Sequence, residues 1–217
     1  IAEADDSADP RFLETAMKAF DDKEVVLSYT ESARIDENNY ITHTNSQDLY
    51  NIYNTDRWDS PYINEGTDEI KNYLSVTNTI LNVSSVVWKK GDYDKFLDEA
   101  TNYKVAGDWY IYYKVLEKGK IAFSNKPYNY FRKHSKSVST KVKDDIEYKE
   151  ICSIQDDIAK KYDLPLPIYK HQRIRRHYMD QNVSPDVRKK RIAWVMPHPG
   201  KGSGGHRTII QNVNALI

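Results

Sequence analysis

Residues 9–31, DPRFLETAMKAFDDKEVVLSYTE, run a capped helix straight into a strand, and no other stretch narrows the choice of folds so much. Asp9 can accept from free N–H groups at a helix start, and Pro10 fits the first helical position. Phe12, Leu13, Ala16, Met17 and Phe20 then recur at helical spacing. EVVLSYTE is dense in β-branched and aromatic residues, which predicts a strand. A chain that alternates in this way builds an α/β fold.

The alternation continues downstream. TDEIKNYLSV predicts a short helix, TILNVSSVVW a strand and DYDKFLDEA a helix. GDWYIYYKVLEKG predicts a further helix with Gly107 before it and Gly119 ending it. KIAFSNKP and YNYFRKH read as two short strands. Residues 140–162 read as an amphipathic helix with Ile146, Ile151, Ile154 and Ile158 roughly on one side. Between Asn38 and Asp68 the chain is rich in Asn, Asp and Tyr with little periodicity, which predicts a long surface excursion of the kind that often binds ligands.

The texture changes at LPLPIYKHQRIRRHYMDQNVSPDVRKK, where prolines and a dense run of basic residues predict a connector with one short helix. RIAWVMP then reads as a strand, GKGSGG as a glycine loop and HRTIIQNVNALI as a helix. One strand and one helix cannot bury a core, so the chain is expected to stop just inside a second domain. The expected division is a first domain over 1–140, an amphipathic helix and basic linker over 141–190, and the start of a second domain over 191–217.

Charge sets limits on function. The net charge is zero over 217 residues, but residues 1–100 hold 9 Lys/Arg against 21 Asp/Glu, and residues 101–217 hold 23 against 11. The halves therefore carry −12 and +12, which suits a divalent cation in one and phosphates in the other. The basic residues concentrate in the connector and no nucleic-acid reader motif is present, which argues against a nucleic-acid partner. No run approaches the roughly 20 apolar residues of a membrane span, and the N-terminus has no signal-peptide character. The only cysteine, Cys152, cannot form an internal disulfide, which suits a reducing compartment and points to the cytoplasm.

Four groups of residues could carry chemistry. Glu3, Asp5 and Asp6 offer hard oxygen ligands for Mg²⁺ or Mn²⁺, and equally fit an acidic loop with Asp9 as a cap. Asp108, at a helix start, can be a cap or a general base. Arg132, Lys133, His134, Ser137 and Ser139 can contact a diphosphate, with His134 completing a metal shell, or form an ordinary basic loop. Gly202, Gly204 and Gly205 let backbone N–H groups approach an anion or sugar at a helix N-terminus, or make a tight turn. GKGSGGH fits neither GxxxxGK[ST] nor a full GxGxxG.

In order and spacing, EADD, GDW and FRKHSKSVS resemble the family 2 glycosyltransferases of the GT-A fold. EADD stands where the family has an Asp-x-Asp-Asp type motif, GDW where it has its catalytic-base motif, and FRKHSKSVS matches its Arg-x-His-x-x-Ser-x-Ser segment. The resemblance covers roughly residues 1–140. It implies the C-terminal, metal- and acceptor-binding half of a GT-A nucleotide-diphospho-sugar transferase domain. Asp5 becomes the metal-coordinating carboxylate with Asp6 beside it, and Glu3 takes the first carboxylate position near the donor. Glu3 departs from the family's Asp.

The resemblance further implies that Asp108 is the base, that His134 is a metal or diphosphate ligand with Arg132 nearby, that Ser137 and Ser139 lie on the donor side, and that Trp109 lines the acceptor side. The implied cofactor is Mn²⁺ or Mg²⁺. The implied reaction is inverting transfer of a hexosyl or deoxyhexosyl group from a nucleotide-diphosphate sugar to a glycan or lipid-linked glycan acceptor in bacterial polysaccharide and cell-envelope assembly, in the cytoplasm or at the inner face of its membrane. RIAWVMPHPGKGSGGHRTIIQNVNAL resembles the Rossmann-like opening of a family 4 glycosyltransferase of the GT-B fold. An internal piece of a two-domain enzyme, inactive by itself, is the expectation. The competing reading is a non-catalytic carbohydrate- or polyanion-binding module or scaffold, favoured by the many tyrosines and the basic connector.

Overall fold

The computed structural model describes residues 3–44, 53, 55–91, 94–132 and 144–164. They form a mixed α/β unit around a six-stranded mixed sheet. Its centre is a parallel pair, β2 (Val25–Ile35) and β6 (Lys120–Arg132), in register from Val25 opposite Lys120 to Ile35 opposite Arg132. Four short strands flank this pair antiparallel. β1 (Ser7–Ala8) and β4 (Tyr62–Asn64) lie on β6, while β3 (Ile41–His43) and β5 (Val86–Trp88) lie on β2. The first seven residues of β2 are all buried, as expected of a central strand covered on both faces.

β6 corrects the sequence expectation of two short strands. It is one strand of 13 residues, and its ladder with β2 shifts register between Thr30 and Ser32. Across that shift β6 passes from Ser124 to Asn129, so Pro127, which has no N–H to donate, falls where no ladder bond is required. Above the irregularity β6 pairs with β4; below it, it pairs with β1.

The helices are α1 (Phe12–Lys18), α2 (Gly66–Glu69) continuing into a π turn (Ile70–Leu74), α3 (Asp94–Ala100), α4 (Gly107–Leu116) and α5 (Asp144–Tyr162). α4 buries Trp109, Tyr110, Tyr112, Tyr113, Val115 and Leu116, which places it in the centre of the core. Ile154 and Ile158 of α5 enter the same core as Leu27 of β2 and Ile121 of β6. α1 departs from the expectation: it starts at Phe12 with Arg11 rather than Asp9 at its N-cap position, Phe20 falls in a following 3₁₀ turn, and only Ala16 is buried, while Leu13 and Met17 face outwards. Among the described residues no helix is long and apolar enough to cross a membrane.

Two further expectations need correction. The excursion over 38–68 is not all surface, because Trp58 is buried and donates from Nε1 to the Tyr29 hydroxyl at 3.1 Å. Arg57 lies between the rings of Tyr62 and Tyr73, at 3.8 and 3.9 Å from their centroids, and pairs with the fully buried Glu69. TILNVSSVVW is a strand only over Val86–Trp88; before it, Asn82 accepts from the Ser84 N–H and caps a 3₁₀ turn.

Gly119 lies beyond α4, but its lack of a side chain matters for close approach. A Cβ there would stand 2.3 Å from the Glu24 carbonyl oxygen and 2.7 Å from a Val26 methyl.

Candidate active site

The acidic turn is pinned to the end of β6. β1 follows it directly and pairs Ser7 with Tyr130 and Ala8 with Asn129, which carries Glu3, Asp5 and Asp6 to the lower end of the central pair. The Glu3 N–H donates to Ser84 Oγ at 2.9 Å. Asp6 is held from two sides, accepting from Asn82 Nδ2 at 2.8 Å and from the Arg132 N–H at 2.9 Å. Asn82 Nδ2 also donates to Asn129 Oδ1 at 2.7 Å, and the Ser32 hydroxyl donates to the same oxygen at 2.9 Å. The Asp6 carboxylate is thus fixed by amides from two distant segments.

One carboxylate oxygen from each of Glu3, Asp5 and Asp6 lies within 4.8 Å of the others. Loss of solvation together with the charges of Asp6, Asp5 and Asp108 raises the Glu3 carboxyl above its ordinary value. Like charges held together in this way fit a hard divalent cation, which takes oxygen ligands and removes the repulsion. Glu3 and Asp5 are exposed and Asp6 is half-buried.

Asp108 stands in the first turn of α4. Its Oδ1 accepts from the Trp109 N–H at 2.7 Å and its Oδ2 from Asn78 Nδ2 at 3.2 Å. The protein around it removes enough water to push its carboxyl up to about 6, against which the Trp109 and Asn78 hydrogen bonds work. The Asp108 N–H bonds to it as well, and of about four lone-pair sites on a carboxylate these three bonds leave one that can accept a proton.

The remaining predicted residues divide. Arg132 is at the site, but its guanidinium serves the protein: Nε donates to the Asp5 carbonyl at 2.8 Å, Nη1 to the Asp36 carbonyl at 2.5 Å and Nη2 to Asn39 Oδ1 at 2.6 Å. It ties the β2–β3 turn, where Asn39 holds a φ of 69°, to the acidic turn. Trp109 takes a core position, the alternative to an acceptor-side one. It is 3 % exposed and its Nε1 donates to the Leu74 carbonyl at 3.2 Å, because the helix turns the indole into the core. His134, Ser137, Ser139, Gly202, Gly204 and Gly205 lie outside the described residues.

Asn78, Asn82, Ser84 and Asn129 were not anticipated from the sequence. A signal existed in TNTILNVSS, where two asparagines interrupt a run otherwise suited to a buried strand, in which Asn is depleted. Comparison with known proteins adds no identity: no family model matches the chain, and no curated protein matches it.

Proposed function

We propose that the chain carries the metal- and acceptor-binding part of an inverting glycosyltransferase, acting on a nucleotide-diphosphate sugar and a glycan acceptor. The observation that carries the reading is the convergence of four carboxylates: a triad within 4.8 Å, and Asp108 close enough for its charge to raise Glu3. Two chemically different tasks are provided for. The triad is exposed and repulsive, suited to a cation. Asp108 is raised to about 6, so at neutral pH it is ionised and more basic than an ordinary carboxylate.

Glu3, Asp5 and Asp6 would hold the ion, which supplies neutralisation of the leaving diphosphate's charge. Asp108 takes the proton of the acceptor hydroxyl. The freed oxygen attacks the anomeric carbon on the face opposite the leaving group, and the bond from that carbon to the diphosphate oxygen breaks. A single base on the opposite face gives inversion. Asn78 and the Trp109 N–H keep the carboxylate oriented while this occurs. The acidic triad, the base and their order along the chain also fit the family 2 resemblance.

The test is Mn²⁺ binding followed by paramagnetic resonance, with transfer assayed in the natural gene product. Asp5→Ala is expected to weaken Mn²⁺ binding by about tenfold or more, the scale of losing one charged ligand. Asp108→Asn is expected to leave Mn²⁺ and donor binding intact and abolish transfer. Mn²⁺ affinity unchanged in both Asp5→Ala and Asp6→Ala would remove the metal site, and surviving transfer in Asp108→Asn would remove the base.

A further inference from the structure

α4 begins without a cap of its own, since Ala106 at its N-cap position has no side chain that can accept from the first N–H groups. A carboxylate from α5 holds the three residues that lead into it. The Glu150 carboxylate accepts from the N–H of Lys104 at 2.7 Å, of Val105 at 2.9 Å and of Ala106 at 3.0 Å. Three consecutive N–H groups on one carboxylate form an anion cradle, and the helix dipole adds to the attraction. Gly107 and Asp108 follow immediately, so this carboxylate fixes where α4 starts.

Five residues further along α5, the buried Gln155 donates from Nε2 to the Val76 carbonyl at 2.7 Å. Val76 stands two residues before Asn78, whose amide orients Asp108. One helix therefore grips the chain just before Asp108 and just before the amide that holds it. Between these grips lie two of the contacts on the Asp108 oxygens, the Asn78 amide and the Trp109 N–H.

We infer that Glu150 is a positioning residue for Asp108, and that α5, through Glu150 and Gln155, braces both walls around that carboxylate. The inference rests on the reading of Asp108 as the base. A cap that merely stabilised α4 would lower the melting temperature and leave the pairing of Asp108 with Asn78 as it is. A brace must change that pairing when removed.

The side-chain amide of Asn78, followed by NMR in the 217-residue chain, reads the pairing directly. In Glu150→Ala its hydrogens are expected to shift and to exchange with solvent about tenfold faster, as loss of one charge-assisted bond implies. Glu150→Gln, which keeps one acceptor oxygen, should give a smaller change in the same direction, and Gln155→Ala a change from the opposite wall. Transfer should show kcat lowered by about tenfold with KM within twofold, the pattern of a misplaced base.

Should Glu150→Ala fail to fold, Glu150→Gln decides. Unchanged Asn78 signals in a folded Glu150 variant would overturn the inference and leave Glu150 a helix cap. Asp108→Asn separates the two readings: if it retains transfer while Glu150→Ala still moves the Asn78 signals, the brace stands and the base does not.

Discussion

At the scale of single residues, Asp108 links stability to chemistry. Its carboxyl is raised from 3.8 to about 6, so the folded chain binds this proton more tightly than the unfolded one. The resulting stabilisation is complete below about pH 3.8 and is lost as pH rises through 6. Asp108→Asn, neutral at every pH, is therefore expected to be more stable than the unaltered protein at pH 7.5, by about 3 kcal/mol, and close to it at pH 4. Urea unfolding at the two pH values checks this, and transfer should rise with pH through the same range as the base ionises. The carboxylates were legible in the sequence because they cluster or stand at a helix start. Asn78, Asn82 and Asn129 were not, since an amide's partner is set by tertiary contact. Trp109 stood open between acceptor side and core because nothing local says which way an indole beside a helix start will turn.

Elements show the same division between local and non-local causes. Periodicity and β-branching were enough for β2, α4 and α5, which all contribute to the core. β6 failed as a pair of strands because SNKPY reads as a stop, whereas the ladder with β2 simply bulges past Pro127. The junction of α2 with the end of α4 was illegible for another reason. A Cβ on Gly66 would stand 2.0 Å from the Gly119 carbonyl oxygen and 2.1 Å from that of Leu116, a backbone-to-backbone approach that no sequence pattern announces. Gly66→Ala must move one of these segments. It is expected to cost about 3 kcal/mol or more, at the upper end for overpacking, seen as a lowered melting temperature.

For the whole molecule, the strongest commitment is the charge buried at its centre. Burial pushes the Glu69 carboxyl up, and Arg57 and Asn64 offset this by bonding to it. Arg57→Ala leaves that carboxylate without its cation and should cost about 3–5 kcal/mol by denaturant unfolding. Arg57→Met combined with Glu69→Gln should cost less than Arg57→Ala alone, because no buried charge is then stranded. The register shift in β6 has a different consequence. Residues above it sit in the core, while Asn129 and Arg132 below it meet the acidic turn. Selection can therefore act on the two halves of one strand separately. Sequence changes below the bulge can alter how the acidic turn is held while the upper half keeps the fold.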